Sequence, residues 1–456
     1  MNIFSQIAEV IKKLFGKASI EEKINANIAV SQDMLSAVRM WSDCYANKAE
    51  WITSKYRGKH LPAAVAHEIA RLVTLEFKSE LTGGKRAEYL SRTYRKLIAD
   101  ASAFTEYACA KGGLMFKPYL TDNGITVAYV QADSFFPTAY DSSGNITGCV
   151  FVERKVVGKN FYTRLEIHNY TPKLYTVRNQ AYISDNAASL GRSVSLQTVP
   201  EWAALQDETP LTDVKRPLFC YFKIPGANFI DSSSPLGVSV FANALDAIKD
   251  ADEQYARLKW EFEGSELAIN ADITALRPDE DSKEMKMPKL DRRLYRGVDI
   301  ANLYEVFSPA IRDGSLINGL DNILRDVEFL SGLAYGTFSR VDTSPKTAAE
   351  IKTSRQRSYS TVSAIQRSLR NSLEDLLECF NVLCDLYSLA PNDKVEQSFE
   401  FDDSLITDTE TEQKIWLQEC SAGLMTPIEY RMRRYGETKE KAKQMLPNVF
   451  GEGDEE

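Results

Sequence analysis

From Thr347 to Ala390 the sequence contains no glycine and no proline, and Pro391 follows. Thr347-Ala-Ala-Glu350 has the spacing of a capping box, in which a threonine and a glutamate satisfy each other's backbone donors, so a single helix is predicted over the whole run. At 1.5 Å per residue it would be about 65 Å long, well beyond the roughly three to four turns of an average helix. Two shorter helical patterns precede it. The first opens at Ser234-Pro235, a capping residue followed by proline where no amide donor is needed, and is expected to start near Leu236. Phe241, Leu245, Ile248, Tyr255, Leu258 and Phe262 then form one apolar stripe before Gly264. This run of roughly 40 Å is answered after Asp313-Gly314 by a second stripe, Leu316, Leu320, Ile323, Val327 and Leu330, closed at Gly336. Between them, Ser265 to Arg312 alternates at Leu267 to Leu276 and at Leu303 to Phe307, around a charged middle from Asp279 to Arg296. With both ends tied to helices, that insert must sit at the tip of a helical hairpin, a stalk with a head.

The opening third is mainly helical. Asn2 to Phe15 reads as an amphipathic docking helix, with Ile3, Phe4, Ile7, Ile11 and Leu14 against Lys12 and Lys13. Helical patterns continue over Ile20 to Ala49, from Leu61-Pro62, and over Tyr89 to Ala110, closed by Gly112-Gly113. At Leu114 the period changes to alternation. Met115 to Tyr119, Thr126 to Gln131, Ile146 to Val156, Phe161 to Asn169 and Leu174 to Gln180 are predicted strands. Asp122-Asn123-Gly124, Ser143-Gly144-Asn145 and Gly158-Lys159-Asn160 are the turns between them. A small antiparallel sheet follows, with one more strand over Lys215 to Phe222. Beyond the long helix come a strand-like run, Ser398 to Asp402, helices over Thr409 to Ala422, Pro427 to Arg434 and Lys439 to Leu446, and an acidic tail from Gly451 to Glu456. The fold class is mixed α+β, mainly α.

A chain of 456 residues, 44% hydrophobic and 26% charged, is long enough for several packed modules. Its net charge of −9 excludes a basic nucleic-acid footprint over the whole surface, so any DNA contact must be local. The seven cysteines include no Cys-x-x-Cys pair, and an odd count argues against a disulfide framework. No apolar run reaches the roughly 18 residues of a membrane span, and the first residues lack a signal-peptide pattern. Neither secretion nor membrane insertion is expected.

No enzyme motif survives inspection. His67-Glu68 begins like a zinc-protease helix, but Arg71 stands where the second histidine is needed. Gly83-Gly84-Lys85 ends like a phosphate loop without that loop's first glycine or its Ser/Thr. Three histidines, His60, His67 and His168, lie far in sequence from any matching cysteine pair, so no metal or cofactor is expected. Asp402, Asp403 and Asp408 are the one foothold for a metal-dependent nuclease. They read more simply as carboxylates capping secondary elements. One charge feature does stand out. Between Arg340 and Arg370 the bases Arg340, Lys346, Lys352, Arg355, Arg357, Arg367 and Arg370 face only Asp342 and Glu350, whereas the first stalk helix carries six acidic residues against three basic. Two readings stay open: reciprocal salt bridges between neighbouring copies, or a duct with acidic walls and a basic constriction. Acidic walls would keep a phosphate backbone from adhering, because affinity grows with each phosphate neutralised.

Tyr129-Val-Gln-Ala-Asp-Ser-Phe-Phe-Pro-Thr138, the turn Asp141-Ser-Ser-Gly-Asn145, Glu253-Gln-Tyr-Ala-Arg-Leu-Lys-Trp-Glu-Phe-Glu263, and Leu333-Ala-Tyr-Gly-Thr337 followed by Lys346-Thr-Ala-Ala-Glu-Ile-Lys352 resemble portal proteins of tailed bacteriophages, the head-to-tail connectors. The resemblance spans nearly the whole chain. It rests on the order of the segments rather than on any diagnostic motif.

The resemblance implies a ring, usually of twelve subunits, at one capsid vertex of the virion, assembled in the host cytoplasm. Double-stranded DNA would be packaged and ejected through it. It implies a wing over residues 1–235, stem helices over 236–263 and 315–335, an α/β clip over 264–314, a tunnel loop over 336–346, the long wing helix and return strand over 347–404, and a small crown with the tail over 405–456. Phe338, Ser339, Arg340 and Lys346 would then approach the channel axis, and Lys352, Arg355 and Arg357 would face DNA or a neighbouring subunit. Phe241, Leu245, Ile248, Tyr255, Leu258, Phe262, Leu320, Ile323 and Val327 would pack the stem. Arg277, Lys289, Arg292, Arg293 and Arg296 would dock the terminase motor and then the head-tail adaptor. Further implied partners are the major capsid and scaffolding proteins, with no membrane. The competing readings are a packaging or processing nuclease, which Asp402→Ala would inactivate, and a minor head protein without a channel.

Overall fold

The computed structural model describes residues 17–53, 57–186, 189–265, 268–272, 294–297, 304–307, 310–341, 348–401, 409–435 and 437–446. The expected Asn2 to Phe15 helix, the Thr347 cap and the acidic tail lie outside these residues. The chain opens on helices α1 (Lys17–Ile24), α2 (Gln32–Tyr45) and α3 (Leu61–Thr74). The pattern expected to run unbroken from Ile20 to Ala49 is thus two helices. Asn25 takes a positive φ, and the Ser31 hydroxyl accepts the Met34 N–H to start α2. Strand β1 (Lys78–Gly83) follows, then α4 (Lys85–Ala99) and α5 (Ala101–Lys111), which divide the predicted Tyr89 to Ala110 helix at Asp100. Gly112, at φ +84, ends α5 in the left-handed conformation that glycine adopts without penalty.

The alternating stretch forms β2 (Gly113–Thr121), β3 (Gly124–Gln131), β4 (Phe135–Tyr140), β5 (Ile146–Val157), β6 (Asn160–Thr171) and β7 (Leu174–Ser184), then the short β8 (Arg192–Val194), β9 (Glu208–Leu211) and β10 (Cys220–Lys223). Strands β4-β5-β6-β7-β8 make one antiparallel sheet, with β9 sharing the outer edge of β7; β10-β2-β3 make a second. Strands β4, β8 and β9 go beyond those expected from the alternation. β4 carries a proline and irregular register, and β8 and β9 are too short for alternation to register.

The hairpin consists of α6 (Leu245–Gly264) and α7 (Asp313–Leu330). Its tip carries a small sheet of β11 (Ala268–Asp272), β12 (Leu294–Gly297) and β13 (Tyr304–Phe307), in the order β12-β11-β13. The helix expected from Leu236 begins instead at Leu245. Ser234 caps no helix: its hydroxyl accepts the Leu236 N–H in a local turn. The chain after it is claimed by the body, with the Val240 N–H donated to the Cys109 carbonyl and a Cβ at Gly237 standing 2.1 Å from the Gly112 oxygen.

Helix α8 (Ala348–Leu386) runs 39 residues, about 58 Å at 1.5 Å per residue. It buries Ile365, Leu369, Leu373, Leu376, Phe380 and Leu383 at helical spacing against the body. Strand β14 (Val395–Glu400) then returns to pair antiparallel with β1, more than 300 residues away in sequence. Helices α9 (Thr409–Ser421), α10 (Pro427–Tyr435) and α11 (Lys439–Gln444) follow. One core joins α1 through α8, including Leu320, Leu324 and Val327 of the hairpin, and no described residue of the last three helices belongs to it.

Candidate functional site at the hairpin and its loop

Helices α6 and α7 face each other through Ile248, Ala251 and Leu258 on one side and Leu320, Leu324 and Val327 on the other, all buried. Polar clamps fix their register. At the tip, the buried Glu261 carboxylate accepts the Arg312 N–H at 3.1 Å and its guanidinium at 3.1 and 2.8 Å, and those Arg312 bonds hold Glu261 below the usual carboxylate range. Midway, Gln254 donates to the Leu316 carbonyl. At the base, buried Asp252 accepts the Trp51 indole N–H at 3.0 Å and the Lys59 N–H at 2.7 Å, tying α6 to the opening helical region. Tyr255 lies between the ammonium groups of Lys59 and Lys259, 4.4 and 4.6 Å from its ring centre.

The turn after α7 is built around Glu328, whose side chain is wholly buried. Its carboxylate accepts the backbone N–H groups of Gly336 (3.1 Å), Phe338 (2.5 Å) and Ser339 (2.7 Å) and the Ser339 hydroxyl (2.9 Å). Successive backbone donors aimed at one point make an anion-binding nest, here filled by the chain's own carboxylate. Gly336 at φ +91 makes the reversal possible. Asp321 accepts the next donor, the Arg340 N–H, at 2.6 Å. Gly332 leaves room for α8, since a Cβ there would lie 2.4 Å from the Thr361 hydroxyl, which bonds the Gly332 carbonyl.

Among the anticipated loop residues, Phe338 therefore packs half-buried on the core, Ser339 is buried against Glu328, Arg340 is exposed, and Lys346 lies outside the described residues. Arg357 lies over Phe329, 4.0 Å from the ring centre, and near Tyr335 at 5.9 Å. Lys352 and Arg355 lie on α8, but their side chains are outside the description. Of the stem residues, Ile248, Leu258, Leu320 and Val327 are buried within the hairpin and Leu245, Tyr255 and Ile323 are half-buried. Phe241 is buried but precedes α6, and Phe262 is exposed. Arg277, Lys289, Arg292 and Arg293 lie outside the described residues, as do Asp402, Asp403 and Asp408, while Arg296 lies on β12. Among the described residues no three His, Cys, Asp or Glu side chains converge as a metal site, and no helix is long and apolar enough to cross a membrane.

Beside its buried stripe the hairpin shows large apolar side chains to solvent: Trp260 at 64% exposure, with Phe262, Ile311, Phe329, Leu330 and Tyr335, and Val341 at 68% beyond it. Sequence reasoning missed Glu328 and Asp252. Each is an acid on an otherwise apolar helix face, a hint that a buried polar partner is needed, but nothing in the pattern says which.

A family model described as "Phage portal protein, SPP1 Gp6-like" matches residues 100–447. A chain in a structure of the neck of a native GTA particle computed with C12 symmetry is similar at 12% identity. That match covers 92% of this chain and 98% of the other, with a TM-score of 0.46. No curated protein matches the chain.

Proposed function

Because the chain belongs to the SPP1 Gp6-like family of phage portal proteins, we propose that its copies close into a ring around a channel for double-stranded DNA at one vertex of the capsid. In this reading α6 and α7 are the stem, and residues 264–314 form the clip that docks the packaging motor and later the head-tail adaptor. Residues 1–235 and 347–404 are the wing, and 405–456 the crown. The tunnel loop spans 336–346: its start, Gly336 to Ser339, is pinned by Glu328, and Arg340 and Lys346 are the bases that meet the DNA.

The observation that carries the reading is the hairpin's pair of faces. One stripe is buried within the chain, while Trp260, Phe262, Phe329, Leu330 and Tyr335 stay exposed beside it. Exposed apolar surface of this kind marks an interaction site, and lateral packing between identical hairpins covers it in every copy of a closed ring. Light scattering on the purified chain over a range of salt is expected to give a ring-sized oligomer with a central hole in end-on images. Phe329→Glu is expected to release smaller species. A wild-type chain that stays monomeric under all salt conditions sinks the proposal.

A further inference from the structure

Helices α10 and α11 add no described residue to the common core and carry net positive charge in a chain that is acidic overall. Residues 427–446 carry Arg431, Arg433, Arg434, Lys439, Lys441 and Lys443 against Glu429, Glu437 and Glu440. Two of those carboxylates are engaged locally. Glu429 completes a capping box, accepting the Thr426 N–H and hydroxyl while the Thr426 hydroxyl accepts the Glu429 N–H. Glu437 holds Arg431 through two bonds, at 3.0 and 3.2 Å. Arg433, Arg434, Lys439, Lys441 and Lys443 remain exposed.

Arg431 of α10 bonds Glu437, two residues before α11 begins, so the two helices are clamped side by side with their cations in one neighbourhood. Arg433 of α10 and Lys439 of α11 both add to the Thr426 bonds in holding Glu429 below its usual range. Lys439 and Lys443 sit one turn apart on one face of α11. Arg434 is steadied by Tyr430 and Tyr435, 5.7 and 5.3 Å from their ring centres.

We infer that α10 and α11 form a binding surface for the phosphate backbone of double-stranded nucleic acid. Arginine and lysine heads presented together on two neighbouring helices suit phosphate oxygens, and a surface of such charges binds backbone rather than sequence. The unit's most exposed apolar side chain, Leu424, and its neighbours Ile415 and Leu417 lie on α9 and the loop after it. Covering them against protein leaves the cationic helices free. The inference does not require the ring.

The test measures anisotropy of a labelled duplex of about 30 base pairs with the full chain between about 50 and 200 mM KCl, the range over which backbone binding shows its salt dependence. Replacing Lys439, Lys441 and Lys443 together by glutamine is expected to weaken binding at least about tenfold at the lower salt. It should also flatten the log–log salt slope by about 2.7, near 0.9 for each phosphate no longer neutralised. Arg433→Gln with Arg434→Gln is an independent second variant should the first misfold by circular dichroism. Arg92→Gln with Lys173→Gln, exposed bases elsewhere, is expected to change nothing. An unchanged slope in both α10 and α11 variants overturns the inference. So does poly-glutamate displacing the duplex at equal charge concentration, which would assign the surface to an acidic protein. Light scattering on the same samples separates this outcome from the ring proposal, since a ring that binds no duplex removes only the inference.

Discussion

Two carboxylates, the largely covered Glu166 in the large sheet and the wholly buried Glu328 at the base of the hairpin, are satisfied in opposite ways. Glu166, on β6, accepts from Lys117 at 2.5 Å and the His168 Nε2 at 2.8 Å and is ion-paired with Arg164 at 3.0 Å. Burial pushes it up, but Lys117, His168 and Arg164 together hold it well below the usual carboxylate range. Tyr175 accepts the Leu218 N–H and so donates its own proton to His168 Nδ1, which leaves Nε2–H for Glu166. Lys117 belongs to β2, in the other sheet, so the cluster pins two sheets together. Among the described residues Glu328 meets no cation in its nest, only three backbone N–H groups and one hydroxyl, all within eleven residues of itself. The sheet cluster thus uses side-chain charge to join elements distant in sequence, and the turn after α7 is shaped by backbone donors of its own continuation. Stability resides in the first arrangement and loop geometry in the second.

That contrast breaks if the two sites respond alike to truncation. Lys117→Met should have the larger effect. It removes the principal cation from a buried carboxylate, and breaking such a pair destabilises by roughly 3–5 kcal/mol, with Arg164 and His168 holding the result near the lower end. The loss should appear as a lower denaturation midpoint for the whole body. Glu328→Ala should cost about 2–4 kcal/mol, since three backbone donors lose a charged acceptor in a buried place, but the loss should be local. Amide hydrogen exchange at Gly336, Phe338 and Ser339 should accelerate while strands β5 to β7 keep their protection. Acceleration throughout the sheets would show that Glu328 supports the global fold, and the division drawn between the two regions would fail.

Much of this arrangement is legible in the sequence wherever one face is buried over many residues. Alternation from Leu114 onward reports the long strands, and the glycine-free run after Thr347 reports α8, because regular burial imprints a period on the residues. The same logic fails at Ser234-Pro235, where a cap-and-proline signal serves a turn, because the Val240 N–H goes to Cys109 of α5 and the Gly237 N–H to the Tyr221 hydroxyl of β10 rather than into a helix. It fails again at β1, whose six residues bury only Ser79 and Leu81 and whose partner β14 arrives from the far end of the chain. Ser339 stands out in the sequence as a loop residue, yet its bond to Glu328 does not: an acid followed eight residues later by a Gly-Thr-Phe-Ser turn has no period, and only the packed backbone brings them together.

Ser339→Ala sharpens the comparison most finely, because it removes the hydroxyl's two bonds and leaves the backbone donors to Glu328 in place. The hydroxyl both donates to Glu328 at 2.9 Å and accepts the Gly336 N–H at 3.1 Å. If the backbone is what shapes the turn, Glu328 keeps its three N–H partners, Gly336 included, and only one hydrogen bond to a charged group is removed. The expected effect is about 1.5 kcal/mol, read as an exchange rate at Gly336 raised about tenfold with Phe338 and the Ser339 amide nearly unchanged. An effect at all three amides as large as that of Glu328→Ala would mean that the hydroxyl, and not the row of N–H groups, organises the nest. The turn after α7 would then depend on side-chain chemistry just as the sheet does.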